Sequence, residues 1–286
     1  MPVTLVVLLV SLVLAGVVWA LSRSPRTPDP VDPAAEERWL VRWLVNHPRW
    51  GAAARSIDRH VTGGVMLVVA LGVVFGTALA VGIVFDMVDR SSGLARWDKA
   101  VAEWGSRNAT SWSTKLLDAL TDLGGTLYLV AITAAVAIYD YWRRRNANVV
   151  LYLFVVLAGV TLINNGLKLL VERERPPVTH LVGTAGSSFP SGHSAAAAAT
   201  WFALALVVTR HQSRRRRAIA AGIATTITVA VAASRALLGV HWLTDVIAGV
   251  AVGWGWFLLS AVVFGGRLQR LGEPAERVAV SSASQR

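Results

Sequence analysis

Two histidines in this chain sit where an ionisable ring is costly. In "FPSGHSAAAAA" (189–199), a proline-serine-glycine turn leads into His193 and five alanines, so a helix starts near Ser191 and His193 lies in its first turn. In "SRALLGVHWLTD" (234–245), His241 precedes Asp245 by four residues, which places both on one helical face. A carboxylate there accepts the imidazole N–H, fixes the tautomer and leaves the other ring nitrogen with a free lone pair. Lys168, Arg175 and Arg235 add three cations that keep such a ring neutral and nucleophilic. Asp245 then stabilises the positive charge that develops on attack, and His193 supplies the proton a leaving oxygen needs.

The same residue types select the ligand. The helix start at Ser191 and Gly192 offers backbone N–H groups to an anion, and glycine at 192 lets it approach closely. The planar fork of arginine suits phosphate oxygens. Together with the three cations this is more positive charge than a structural anion requires, and it points to a phosphoryl group. Lys168 alone would read equally well as a snorkelling anchor, but Arg175 seven residues later favours phosphate. His47, His60, His180 and His211 have no matched partners and read as caps or surface residues.

The elements that must position these residues are membrane spans. The 286-residue chain is 54% hydrophobic, and its apolar residues fall in blocks long enough to cross a bilayer as helices. Seven spans are expected, at about 3–21, 62–85, 125–141, 147–170, 192–209, 217–235 and 243–264. The first has its arginines, Arg23 and Arg26, after it rather than before, so it reads as an anchor and not a cleaved leader. With no cysteine, the chain has neither disulfides nor a thiolate metal site. The net charge of +11 is carried mostly by arginine and fits loops that meet anionic headgroups rather than nucleic acid.

Basic loops set the expected orientation. "WRRRN" (142–146), "RHQSRRRR" (210–217) and "GRLQR" (266–270) follow the third, fifth and seventh spans, so all three share one side, which the positive-inside rule makes cytoplasmic. Segments 171–191 and 236–242 then face outward with the candidate site. Two tryptophan-bearing stretches, 34–47 and 95–120, are expected to lie in the interface, the second with Trp97, Val101 and Trp104 on one face. "NAT" (108–110) matches a glycosylation triplet that arises often by chance, and Asn164 and Asn165 are expected to bond to neighbouring helices.

"K-x6-RP" (168–176), "PSGH" (190–193) and "SR-x5-H-x3-D" (234–245) together resemble the three signature motifs of the type-2 phosphatidic acid phosphatase superfamily, in order and with no departure at a motif position. The resemblance implies an all-α, polytopic membrane bundle with a six-helix phosphatase domain at 61–265; outside that core, the hydropathy pattern adds an anchor (1–22), a linker with an interfacial helix (23–60) and a polar tail (266–286). The resemblance also implies phosphate hydrolysis without metal or other cofactor. His241 would be the nucleophile that forms a phosphohistidine, Asp245 its orienting partner, and His193 the acid that later activates water. Lys168, Arg175, Ser191, Gly192 and Arg235 would hold the phosphate oxygens. A soluble, vanadate-binding haloperoxidase branch shares the motifs, and the spans argue against it. The expected substrate is a lipid phosphate entering sideways at the outer headgroup level, with a polyprenyl diphosphate first and a glycerolipid phosphate or pyrophosphate second. A non-catalytic transporter or lipid-binding scaffold is the reading from another class, and the complete set of nucleophile, acid and orienting residue weighs against it.

Overall fold

The computed structural model describes residues 59–268, apart from 146, 181, 184 and 185, together with Leu12 and Gly16. The expected anchor at 1–22 (those two positions apart), the interfacial helix at 34–47 and the tail beyond 268 lie outside the described residues. Eight α-helices and no strand occur among them: α1 (Arg59–Asp89), α2 (Asp98–Arg107), α3 (Ser111–Asp122), α4 (Thr126–Arg144), α5 (Asn148–Leu170), α6 (Gly192–Thr209), α7 (Arg214–Leu237) and α8 (Leu243–Leu268). Hydrocarbon favours this architecture because a helix satisfies its own backbone hydrogen bonds.

Five of these helices are long and apolar enough to cross a membrane: Val69–Asp89 of α1, α5, α6, α7, and Leu243–Phe264 of α8. The span expected at 125–141 corresponds to α4, whose apolar run ends in Asp140, Arg143 and Arg144. It reaches spanning character only together with α3, across a 45° bend. The protein is an all-α, multi-pass membrane bundle.

Helix α6 is its axis. The small residues of "SAAAAAT" (194–200) let neighbours approach closely, and α6 packs against α4, α5, α7 and α8. Around it, Tyr152, Val156 and Val160 of α5 meet Phe202 of α6 and Phe257 of α8 in the main core. Helix α1 is peripheral and leaves Leu71, Phe75, Leu79 and Ile83 exposed, as a lipid-facing helix does.

The expected single interfacial helix at 95–120 is instead a 3-10 turn (Gly93–Trp97) followed by α2 and α3. The break has a local cause. Asn108 Nδ2 bonds back to Trp104 O at 2.9 Å and closes α2, while Thr110 and Ser113 form a reciprocal capping box that opens α3. The "NAT" triplet is therefore a stop signal and a start signal for two helices. Val101 and Trp104 do not face lipid but pack onto Leu237, Leu238 and Val240, whereas Trp97 and Trp112 are exposed.

Candidate active site

Four helix ends meet at one end of the bundle. Lys168 lies in the last turn of α5 and Arg235 in the last turn of α7. Gly192 begins α6, and Asp245 lies in the first turn of α8. Segment 171–191 carries Arg173 and Arg175 across this end, and segment 238–242 carries His241. The α7 exit turns at Gly239, whose φ of +75° suits glycine, and the N–H groups of Val240 and His241 both bond back to Arg235 O at 3.3 Å. Helices α6 and α8 cross in near contact because a Cβ at Gly253 would stand only 2.1 Å from Ala195 O. That crossing lets Ser191 N–H bond to the Asp245 carbonyl at 3.0 Å, which fixes the start of α6 against the first turn of α8.

His241 is 2% exposed. Its Nδ1 lies 2.7 Å from Ser188 O, and a carbonyl only accepts, so Nδ1 carries the proton and Nε2 keeps its lone pair. The sequence places Asp245 in that orienting position, but its Oδ2 is 3.6 Å from Nδ1 and accepts instead from Trp242 N–H at 2.9 Å. Its Oδ1 pairs with Arg173. The short bond that orients the ring is thus to a backbone carbonyl, with Asp245 behind it as a charge. The i,i+4 face does not form in the expected way because His241 precedes α8 and lies in the turn. Burial, more than the neighbouring Arg235 and Arg175, lowers the imidazole pKa to about 4, while Asp245 works in the other direction.

Arg235 and Arg175 lie within electrostatic reach of this ring, and Lys168 lies within reach of both. Lys168 Nζ donates to Ser187 O at 3.0 Å, and Arg175 donates to Val240 O at 2.6 Å and to Gly186 O at 3.1 Å, so both heads are held by loop carbonyls. Arg235 is 6% exposed, and its Nε has no hydrogen-bond partner. His193 lies within electrostatic reach of Arg235, His241 and Lys168. The structure therefore brings Lys168, Arg175, His193, Arg235, His241 and Asp245 into one cluster. Ser191 N–H is occupied by Asp245 O, and the amides of Gly192, His193 and Ser194 precede the first intrahelical bond of α6, from Ala195 N–H to Ser191 O. Ser191 Oγ accepts from Ser194 Oγ at 2.9 Å. His180 bonds locally to Pro176 O at 3.0 Å.

Several residues here were given no part in the site by the sequence. Asn164, four residues before Lys168 on the same helical face, is buried; its Nδ2 lies 3.1 Å from where a Gly192 Cβ would stand, and its Oδ1 has no partner. The interhelical bonding expected of it is therefore not formed at that oxygen. Arg173 donates to Thr244 Oγ1 at 2.8 Å, to Asp98 Oδ2 at 2.8 Å and to Asp245, and its guanidinium sits 5.3 Å from the centre of the Trp242 ring. The only local hint was its position two residues before Arg175 in "ERERP". Asp98 had none.

This geometry can be set beside known proteins. The family model described as the PAP2 superfamily matches residues 149–268. Phosphatidylglycerophosphatase B of Bacillus subtilis is 31% identical over 161 residues, which cover 54% of this chain and 77% of that protein. Lipid A 1-phosphatase of Rhizobium etli is 35% identical over 152 residues, 49% of this chain and 59% of that protein. The crystal structure of a transmembrane PAP2-type phosphatidylglycerolphosphate phosphatase from Bacillus subtilis superimposes with a TM-score of 0.62 at 26% identity, covering 70% of this chain and 98% of that one. The matched family segment runs from α5 to α8 and contains every residue of the cluster described above. This chain belongs to the PAP2 superfamily of membrane phosphatases.

Proposed function

We propose that the protein hydrolyses a lipid phosphate through a phosphohistidine on His241. The observation that carries this reading is the buried ring with Nδ1 bonded to Ser188 O, which leaves Nε2 as a neutral nucleophile beside Lys168, Arg175 and Arg235. The Nε2 lone pair forms the N–P bond as the P–O bond to the lipid breaks, and the departing oxygen takes a proton from His193. A water oxygen then attacks phosphorus, the N–P pair returns to Nε2, and His193 takes the water proton. The charge of the phosphate oxygens is met by the three cations and the amides at the α6 start.

An apolar groove supports a lipid substrate. A cavity of about 560 Å³ lies between α1, α5 and α8, lined by Phe85, Leu167, Val171, Phe189 and Trp256 among others. Leu167 and Phe189 directly flank Lys168 and the "PSGH" turn, so a hydrocarbon chain in the groove lies beside a phosphate in the pocket. The Bacillus subtilis relative, matched over 77% of its length and named as a phosphatidylglycerophosphatase, favours a glycerolipid phosphate. A polyprenyl diphosphate is the second reading and rests on orientation. Arg144 and Arg210 share Asp140 at the end of the bundle away from the site, so the positive-inside rule turns the site to the extracytoplasmic face of the plasma membrane. Comparing kcat/KM for phosphatidylglycerophosphate, phosphatidic acid and undecaprenyl diphosphate tests the choice. Preference for the prenyl diphosphate by about tenfold, a difference near 1.4 kcal/mol, reverses it.

Two further outcomes probe the mechanism. The His241 ring is expected to titrate with a midpoint at about 4, so that it stays neutral throughout the usual histidine range. Ring NMR of histidine-labelled protein, assigned against a His241 variant, measures this, and a midpoint near about 6.5 contradicts it. A monoester's alkoxide leaving group needs a proton more than the phosphate released from a diphosphate. In single turnovers, His193→Ala should therefore slow diacylglycerol release from phosphatidic acid more than phosphatidic acid release from diacylglycerol pyrophosphate, and equal losses would remove His193 as the acid.

A further inference from the structure

Asp98 stands on α2, outside the segment matched by the family and outside all three motifs, yet its side chain is buried against the first turn of α8. Its Oδ1 accepts Thr244 N–H at 2.9 Å. Its Oδ2 accepts Thr244 Oγ1–H at 2.7 Å and Arg173 NH2 at 2.8 Å. The other arm of Arg173 holds Asp245. One guanidinium fork is thus split between two carboxylates, and the residue next to Asp245 is fixed by the same distant side chain.

We propose that Asp98 is a positioning residue for the nucleophile, acting through Arg173 and Thr244 on Asp245. The inference rests on the reading of His241 as the attacking group. If Arg173 paired with Asp245 alone, it would cancel the charge that must face the imidazolium formed on phosphorylation. With Asp98 as a second anion, the triad of two carboxylates and one guanidinium keeps one net negative charge behind His241. Asp98 also accepts both the N–H and the O–H of Thr244, so the Asp245 carboxylate cannot swing away with the helix end.

The first chemical step releases the lipid alcohol, so its rate constant is read directly as diacylglycerol appearance from phosphatidic acid in detergent micelles, in single turnovers at saturating enzyme. Asp98→Asn takes the triad from one net negative charge to none. It is expected to slow this step on the order of tenfold, the effect of one charge acting across roughly 10 Å at partial burial, with half-saturation unchanged. Asp98→Glu, which keeps the charge, is expected to restore most of the rate. A purely structural role would lower the reaction amplitude or the thermal midpoint and leave the rate constant alone. A rate constant for Asp98→Asn within about twofold of the wild type overturns the proposal. If Asp98→Asn does not fold, Asp98→Ser, small enough to admit water to Thr244 N–H, gives the same readout. His241→Ala is run alongside. If it keeps the wild-type rate, the nucleophile assignment itself fails. If it loses the rate while Asp98→Asn keeps it, only the role of Asp98 fails.

Discussion

Replacing His241 with alanine is expected to lower kcat/KM for a lipid phosphate by at least about 10⁴-fold, because the variant loses the atom that bonds to phosphorus and no nearby group replaces it. Neighbouring Asp245 is already occupied by Arg173 and by Trp242 N–H. Removing the ring leaves Ser188 O without its donor, a cost of about 1–3 kcal/mol that the bundle is expected to tolerate. Phosphate release from purified protein in excess chelator is the measurement. Wild-type activity should persist in chelator, since Lys168, Arg175 and Arg235 supply the positive charge at the phosphate. A His241→Ala protein within about tenfold of wild type would show that another group attacks.

The second large effect is on stability. Gly253→Val is expected to cost about 3 kcal/mol or more, because the new Cβ would lie 2.1 Å from Ala195 O and 2.8 Å from its carbonyl carbon. Those are backbone atoms of a neighbouring helix and cannot turn aside as a side chain would. Helices α6 and α8 must then separate, which also pulls the Ser191 amide from the Asp245 carbonyl and shifts the α6 start relative to the site. Thermal unfolding in detergent should show a large drop in midpoint together with a fall in kcat. Gly72→Val on α1, where nothing lies within 4 Å of the added Cβ, is the matched control and should change the midpoint much less. Equal behaviour of the two variants would show that the close crossing does not hold this end of the bundle together.

The site was legible in the sequence to the extent that its parts are residue types at short spacing. The lysine, the arginines, the "PSGH" turn and the histidine–aspartate pair each announce themselves within about ten residues. Alternation of span direction then carries them to one end of the bundle. The same local logic failed at 95–120, where tryptophan periodicity suggested one interfacial helix. The capping pattern at Asn108, Thr110 and Ser113 is written in the sequence, but its first two residues also belong to a chance glycosylation triplet, and tryptophan spacing is the stronger local signal.

What the sequence determined by itself is the bundle and the cluster of charged residues at one of its ends. Bilayer thickness dictates the length of an apolar run, and hydrocarbon forces each run to close its own hydrogen bonds as a helix, so these features follow from composition along the chain. Only the tertiary structure decided what holds the nucleophile. Ser188 acts through a backbone carbonyl, a group every residue carries, and so leaves no signature in residue type. Asp98 meets Thr244 across 146 residues, a separation at which no periodicity links two positions. Asn164 is set apart from Asn165 by the neighbour it meets, the start of α6, against which it is buried while Asn165 is exposed. Contacts of this kind depend on how closely helices from distant parts of the chain pack, and no single stretch of sequence encodes that distance.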